Sequence, residues 1–277
     1  MTMDSTFFRL VRHGAVAELV MSKPEKANAM SPDFWADLPR LIEALDTDMT
    51  VRCAVISGAG RHFTSGMDLS TFADLAKLFD HEPGRASHAM RQVVLRLQDS
   101  FTAIERSRLP VIAAIHGACV GGGIDLITAC DIRLAAENAY FAVEEINIGM
   151  AADVGTIQRL PKLIAPSIAA ELIYTGRRFD AAEAKAIGLV SAVHPDADTV
   201  REAALELAKQ IAQRSPLAIA GIKRNLTYSR DHSVADGLDY IATWNGGMLR
   251  SGDLMEAIQA RMAKRAADFP DLLPANF

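Results

Sequence analysis

The chain carries little with which to cross-link itself or hold a metal. Its three cysteines, Cys53, Cys119 and Cys130, are an odd number with no Cys-x-x-Cys spacing. That fits neither a disulfide framework nor a zinc site and reads as small core residues in a reducing cytosol. The seven histidines show no paired ligand spacing, so no metal is expected. Basic runs are missing too: 29 Lys+Arg against 34 Asp+Glu give a net charge of -5, and no stretch could follow a phosphate backbone, which excludes nucleic acid as an expected partner. The longest apolar stretch, 111–124, is too short for a bilayer and is interrupted by His116 and glycines, so no membrane is expected. The first residues have no positive region leading into an apolar one, and Ala275-Asn276-Phe277 is not a peroxisomal address, so the expected location is cytoplasmic.

What is present is the material of a folded domain. Apolar residues make up 50% and charged residues 23% of 277 positions, enough for one large domain or one domain with a smaller addition. Short β-rich runs at 17–21, 54–57, 111–115 and 132–135 are each bounded by turn or polar residues. Helical patterns lie between them. One is opened by Ser31 as N-cap and Pro32 at the first helical position, with Phe34, Leu38, Leu41, Ile42 and Leu45 on one face. Another carries Met90, Val93, Val94, Leu97, Phe101 and Ile104 and stops before Pro110. Strands alternating with helices predict an α/β body with a largely parallel sheet, and the recurring unit hints at an internal repeat without a measurable period.

After about Val193 the strand-like runs cease. Asp180 with Glu183 has the form of a capping box, with Gly188 as the stop of that helix. Val234, Leu238, Ile241 and Met248 share one face of a later helix, and Leu254, Ile258 and Met262 continue in the next. The division expected is a catalytic core over 1–195 and an all-helical region over 196–277, whose apolar faces pack on the body or on a neighbouring subunit.

The segment richest in chemistry is the β-run at 114–120 that ends in Gly121-Gly122-Gly123 and opens a helix at Ile124-Asp125. Backbone N–H groups at the positive end of that helix are presented with no side chain in the way, suited to an anion or a developing oxyanion. Neither a Walker motif nor G-x-G-x-x-G is present, and the same glycines also suit close packing of helix on strand. A second such loop, Ser65-Gly66-Met67-Asp68, follows the run at 54–57, so one donor from each loop would make an oxyanion hole. Three acids, Asp125, Glu145 and Asp153, sit among small and apolar neighbours, where a carboxyl gains proton affinity and can do acid/base work near neutral pH. Asp153 could equally cap a helix starting at Val154. Glu144 adds a fourth acid; on an alternating segment only one of Glu144 and Glu145 faces a pocket, and that one is expected to be Glu145.

The glycine triplet, the Ser65–Asp68 loop, the Pro24-Glu25-Lys26-Ala27-Asn28-Ala29-Met30 stretch and Gln158-Arg159-Leu160 together resemble the crotonase (enoyl-CoA hydratase/isomerase) superfamily over nearly the whole chain. Asp125, where a hydratase would carry Glu, and Ala151-Ala152-Asp153, where it would carry a Pro-Gly-rich loop, resemble the family's dienoyl-CoA isomerases. The resemblance implies a spiral of ββα units with a C-terminal helical oligomerisation region, assembling as a homo-trimer or hexamer. It implies an acyl-CoA thioester substrate, with coenzyme A belonging to the substrate and no separate cofactor. The oxyanion hole falls on the N–H groups of Met67 and Gly122. Asp153 and Glu145 take the acid/base roles along a 3,5-dienoyl chain and Asp125 tunes Glu145. The coenzyme A pocket falls on Lys26, Ala27, Asn28, Ala29, Ser65, Gly66 and Asp68, with Lys264 reaching a neighbour's ligand. Leu75, Leu78, Phe79 and the loop 81–88 are candidates for the acyl pocket. The alternatives are a 2-enoyl-CoA hydratase or thioester hydrolase on the same fold, a catalytically silent member, and a hydrolase using Ser65 or Cys119 with His62 or His116. The last lacks a G-x-S-x-G elbow.

Overall fold

The computed structural model describes residues 4–274, except the side chains of 72–74, so the C-terminal tripeptide read for an address lies outside the described residues. In chain order the elements are β1 (Phe8–His13), β2 (Val16–Met21), α1 (Pro32–Thr47), β3 (Cys53–Gly58), α2 (Ser70–Ala76), α3 (Pro83–Arg106), β4 (Val111–Ile115), β5 (Ala118–Val120), α4 (Gly122–Ala129), β6 (Ile132–Ala136) and β7 (Tyr140–Ala142). They continue with α5 (Thr156–Arg159), α6 (Pro166–Thr175), β8 (Phe179–Asp180), α7 (Ala181–Ala186), β9 (Ala192–His194), α8 (Ala197–Ala212), α9 (Pro216–Asp231), α10 (Val234–Met248) and α11 (Gly252–Met262).

A six-stranded sheet in the order β1-β2-β3-β4-β6-β9 is parallel throughout except for the β1/β2 hairpin. Both its faces are covered, and the two-residue period sorts the side chains. Ala54 and Ile56 of β3, and Val111, Ala113 and Ile115 of β4, face the main core with α1, α3 and α4. Cys53, Val55, Ile112 and Ala114 face α8, which meets them with Val200, Ala204, Leu205 and Ala208. The helix that begins the 196–277 stretch is therefore part of the sheet's packing.

A second, inner sheet runs alongside. β5 pairs with β7 in parallel and β7 with β8 in antiparallel, and single bridges add Thr64 to Cys119 and Met30 to Met67. Each turn of the chain gives one strand to the outer sheet, one short rung to the inner sheet, and then a helix. This is the ββα spiral, and the repeat that the sequence only hinted at.

Two local expectations change. Pro32 does start α1, but the Ser31 hydroxyl makes no cap bond. Asp180 caps α7 by accepting from the Glu183 N–H, yet no reciprocal bond closes a box, because the Glu183 carboxylate is held by Arg177. The apolar face expected on α10 and α11 is exposed in the single chain, with Val234, Leu238, Ile258 and Met262 open to solvent. No helix among the described residues is long and apolar enough to cross a membrane.

One charged residue lies under α8. Glu18 of β2 is fully buried and receives both Nε and Nη2 of Arg201 at 2.6 Å, the Ser57 hydroxyl at 2.7 Å and a contact from His13 at 3.1 Å. Burial works to raise its pKa, but the bonds from Arg201 and Ser57 outweigh it and hold it below the ordinary value. A lowered carboxylate stabilises the fold above its unfolded pKa and loses that contribution as pH falls through the folded value. Arg201→Met strands the buried charge and should cost about 2 kcal/mol at neutral pH, at the low end for a buried pair because the guanidinium is partly exposed. In denaturant unfolding the gap from wild type should narrow toward pH 4; an equal gap at both pH values would refute the account.

Candidate active site

The inner sheet sets the backbone of the site. Met30 N–H donates to Gly66 O at 2.8 Å and Asp68 N–H to Met30 O at 3.2 Å. In an extended strand successive N–H groups point to opposite sides, so Met67 N–H, lying between these two bonds, points away from Met30. It has no partner among the described residues. Gly122 is the first residue of α4, so its N–H has no intrahelical acceptor. The two donors are neighbours: a Cβ on Gly122 would stand 3.9 Å from Met67 N. Gly66 is required for this approach, because its φ is +84° and a Cβ would lie 2.8 Å from Val120 O. Gly123 serves the other reading of the triplet, since a Cβ there would meet Thr64 Cγ2 at 2.7 Å. The glycines thus both expose donors and let α4 pack on the inner sheet.

The loop before Met30 is locked by one side chain. Ala27 and Asn28 have φ of 50° and 52°, left-handed backbone that costs a non-glycine residue energy. Asn28 offsets it: its Oδ1 accepts from Lys23 N–H at 2.9 Å, and its Nδ2 donates to Ala59 O and His62 O at 2.9 and 2.8 Å. The side chain is fully buried with its donors and acceptor committed, so it joins the two loops and offers no group to a bound molecule. Ser65 N–H donates to Ala27 O, and Lys26 reaches Asp68 across the loops at 3.8 Å. Asp68 also accepts from the Ser70 N–H and hydroxyl at the start of α2.

The three acids come together. Asp125, on the first turn of α4, is wholly buried and accepts from Thr156 N–H at 2.6 Å through Oδ1. It is therefore Asp125, not Asp153, that holds the start of α5. Its Oδ2 and the Oε2 of Glu145 are buried with no hydrogen-bond partner. Burial pushes Asp125 up to about 6, against the Thr156 bonds that lower it, and burial with the Asp125 charge beside it pushes Glu145 up to about 7. Two adjacent carboxyls with orphaned oxygens hold a proton between them most stably, so the pair titrates as a unit. Asp153 is half-buried and raised by burial, and its carbonyl accepts from Gln98 Nε2 at 2.7 Å.

A cavity of about 590 Å³, its open mouth included, is lined by Ser65, Gly66, Met67, Gly121, Gly122, Glu144, Glu145 and Asp153. Trp35, Leu69, Ile148, Met150 and Val154 supply its apolar wall. Glu144 joins Glu145 there because residues 144–148 form a 3₁₀ turn, not the alternating strand on which only one would face in. Of the candidates for the acyl pocket, Leu75, Leu78, Phe79 and the loop 81–88, none lines this cavity; Leu69 does. Lys264 lies two residues past the end of α11 with a φ of 53° and is not brought to this cavity within one chain.

The histidine and cysteine candidates are packing groups. His62 Nδ1 accepts from Ala118 N–H at 3.1 Å, and His116 Nε2 contacts Gly60 O at 3.0 Å. Burial raises the Cys119 thiol far from a thiolate and pushes Cys53 and Cys130 up to about 12. None of these three thiols is an activated nucleophile.

The sequence model described as enoyl-CoA hydratase/isomerase matches residues 12–271. The chain is 47% identical over 252 residues to a mitochondrial delta(3,5)-delta(2,4)-dienoyl-CoA isomerase of Rattus norvegicus, covering 90% of this chain and 77% of that one. It is 43% identical to a peroxisomal one of Arabidopsis thaliana, covering 98% and 100%. Among solved structures, the enoyl-CoA hydratase of Bacillus anthracis superposes with a TM-score of 0.87 at 30% identity, covering 95% of this chain and 99% of that one. The expectation of a cytoplasmic protein is overturned by the two dienoyl-CoA isomerase relatives, which are named mitochondrial and peroxisomal. Compartment is read by receptors from address segments, and the residues that build this core carry no record of it.

Asn28→Ala should lower stability by about 3 kcal/mol, the sum of three buried hydrogen bonds at roughly 1 kcal/mol each. Thermal or denaturant unfolding checks this, and a shift within error of wild type would remove Asn28 as the joint between the loops.

Proposed function

The chain belongs to the enoyl-CoA hydratase/isomerase family, and we propose that its cavity shifts the double bonds of a 3,5-dienoyl-CoA to the conjugated 2,4-dienoyl-CoA, as its dienoyl-CoA isomerase relatives are named for doing. The observation that carries this reading is a cavity lined by Glu145, Asp153 and two unpartnered backbone donors, with Asp125 buried behind Glu145 so that these two carboxyls titrate as a pair while Asp153 stands apart.

The thioester oxygen lies against Met67 N–H and Gly122 N–H. Asp153, as carboxylate, takes a proton from C2. The electron pair left behind spreads through the diene to the thioester oxygen, where the two N–H groups stabilise it by about 3 kcal/mol each, the usual worth of a preorganised oxyanion donor. Glu145, neutral near pH 7 because burial and Asp125 raise it to about 7, delivers a proton to C6. The bonds C3=C4 and C5=C6 become C2=C3 and C4=C5, one proton enters and one leaves, and no oxidant is needed. Exchange with solvent resets the two acids. Asp125 acts through Glu145 by holding the proton that Glu145 gives, and through Thr156 by fixing the far wall.

Coenzyme A belongs to the substrate. Its passage along Lys26, Ala27 and Ala29 on one side and Ser65, Gly66 and Asp68 on the other is supported by the way these loops meet at the cavity mouth. Lys264 is offered to the ligand of a neighbouring subunit in a homo-trimer or hexamer, a reading supported by the exposed apolar face of α10 and α11. Substrate of this class has a conjugated product with its own ultraviolet absorbance.

The 2,4-dienoyl chromophore should appear on mixing protein with a 3,5-dienoyl-CoA, while 2-enoyl-CoA hydration stays slow. Asp153→Asn and Glu145→Gln should each lower kcat by on the order of 10²–10⁴. Fast hydration that survives Asp153→Asn would overturn the isomerase reading. The rate should form a bell, since Asp153 must be charged and Glu145 neutral: the alkaline limb falls near pH 7 as the Asp125–Glu145 pair loses its proton. Gly66→Ala, which displaces Met67 N–H, should lower kcat by about 10²–10³.

A further inference from the structure

Behind the acids stands a charged group that the reaction above does not use. Arg159, at the end of α5, points back across its own turn: Nη1 donates to Val154 O at 3.3 Å, and Nη2 donates to Thr102 Oγ1 at 3.3 Å and Glu105 Oε2 at 2.7 Å on α3. Arg159 and Glu105 are both nearly buried. The chain makes room for the guanidinium at Gly155, whose φ is +138° and where a Cβ would stand 1.7 Å from Nη1. Val154 lines the acid cavity on one side and, on the other, a polar cleft lined by Gln98, Thr102, Glu105, Arg159 and Arg230. Residues 153–156 are therefore a wall one strand thick between two cavities. It is held at Asp153 O by Gln98, at Val154 O by Arg159 and at Thr156 N–H by Asp125.

We propose that Arg159, braced by Glu105, is a positioning residue for the isomerisation: it fixes the 153–156 wall that presents Asp153 to the substrate, and it is the cation that stands behind that wall on the side of Asp125. This rests on the reading of the cavity as a dienoyl-CoA isomerase site. Asp153 acts on Asp125 from the cavity side as a like charge, Glu145 stands beside it as the partner with which it titrates, and Arg159 is the cation that acts on it from the other side. Arg159 in turn is faced by Glu105 of α3 and, beyond it, by Arg230 of α9, which is paired with Glu105 and Asp231; Asp231 also binds Lys162. Burial works to raise Glu105, but Arg159 and Arg230 outweigh it and hold it below the ordinary value, so it stays ionised. The strut is thus an Arg–Glu–Arg chain, nearly buried at Arg159 and Glu105 and partly open to solvent at Arg230, whose near end reaches the active-site wall.

Substitutions at its two members change the charge behind the wall in opposite directions. Arg159→Gln removes a cation, so the alkaline limb of the pH–rate profile should move to higher pH. Glu105→Gln leaves the cation less neutralised, and the same limb should move to lower pH. Both should lower kcat, by roughly 10–100-fold, since a wall displaced by even 1 Å misplaces the base. Arg159→Lys should restore the limb and only part of the rate, because an ammonium keeps the charge and loses the fork. Thermal unfolding of each variant reports whether it is folded. Limbs that stay at the wild-type pH in both Gln variants, or that move the same way, would overturn the strut while leaving the isomerase reading intact. A wild-type protein without isomerase activity would overturn that reading itself.

Discussion

The site is built on an inner sheet whose rungs are almost too short to count as strands. Met30, residues 64–67, β5 and β7 lie side by side, and two of these rungs pair through single bridges. A rung that short cannot hold itself by hydrogen bonding along its length, because each bond stabilises by only about 1 kcal/mol net. It is held at its ends. Asn28 fastens the first rung to the loop at 59–62, and Thr64 Oγ1 donates to Asn28 O at 2.7 Å while accepting from Gly66 N–H at 3.1 Å. The direction of Met67 N–H is thereby decided by neighbours on both sides before any substrate arrives. Donors fixed in advance are what make an oxyanion site effective, since no reorganisation is needed when charge develops.

The acids obey a constraint of the opposite kind. Asp125, Glu145 and Asp153 crowd one largely apolar cavity and cannot all be charged, because each adds desolvation cost and repels the others. Asp125 and Glu145 respond by retaining protons up to about 6 and 7, whereas half-buried Asp153 is raised by burial alone. The Asp125–Glu145 pair therefore holds a proton into the neutral range, while Asp153 stands outside that pair. Carboxyls of the same chemistry are driven apart in function by environment. The peptide-bound end of Asp125 and the charge behind the wall set where that division falls.

Much of this was readable in the residues, for identifiable reasons. The strands at 17–21, 54–57, 111–115 and 132–135 were legible because an outer sheet covered on both faces leaves near-continuous apolar runs. The inner rungs were not, because a bridge of one residue has no period. Glycine loops and acids stood out by residue type, but their geometry did not: alternation fails at Glu144 and Glu145 because the chain turns there as a 3₁₀ helix. Asn28 was recognised as part of a binding loop, whereas its left-handed φ and three backbone partners make it the joint of that loop. Arg159 was noticed only within a motif. Its role depends on Glu105, which is 54 residues away in sequence, and no local pattern records such a partner.

Asp125 shows why the length of one side chain matters to the chemistry. Its Oδ1 receives Thr156 N–H at 2.6 Å, fixing α5 and with it the wall that carries Asp153, while Oδ2 is left buried and unpartnered toward the Glu145 side. One carboxyl thus anchors the wall that carries Asp153 and raises the proton affinity of Glu145. A glutamate at 125 would add a methylene between α4 and that carboxyl in a position with no exposed surface. The extra atom would have to displace either the Thr156 N–H or the Glu145 carboxyl, since close-packed interiors absorb even one methylene poorly. Displacing the first moves the wall, and displacing the second separates the oxygens that share a proton. The shorter residue at this position is therefore what lets one carboxyl hold the Thr156 N–H and stand against Glu145 at once.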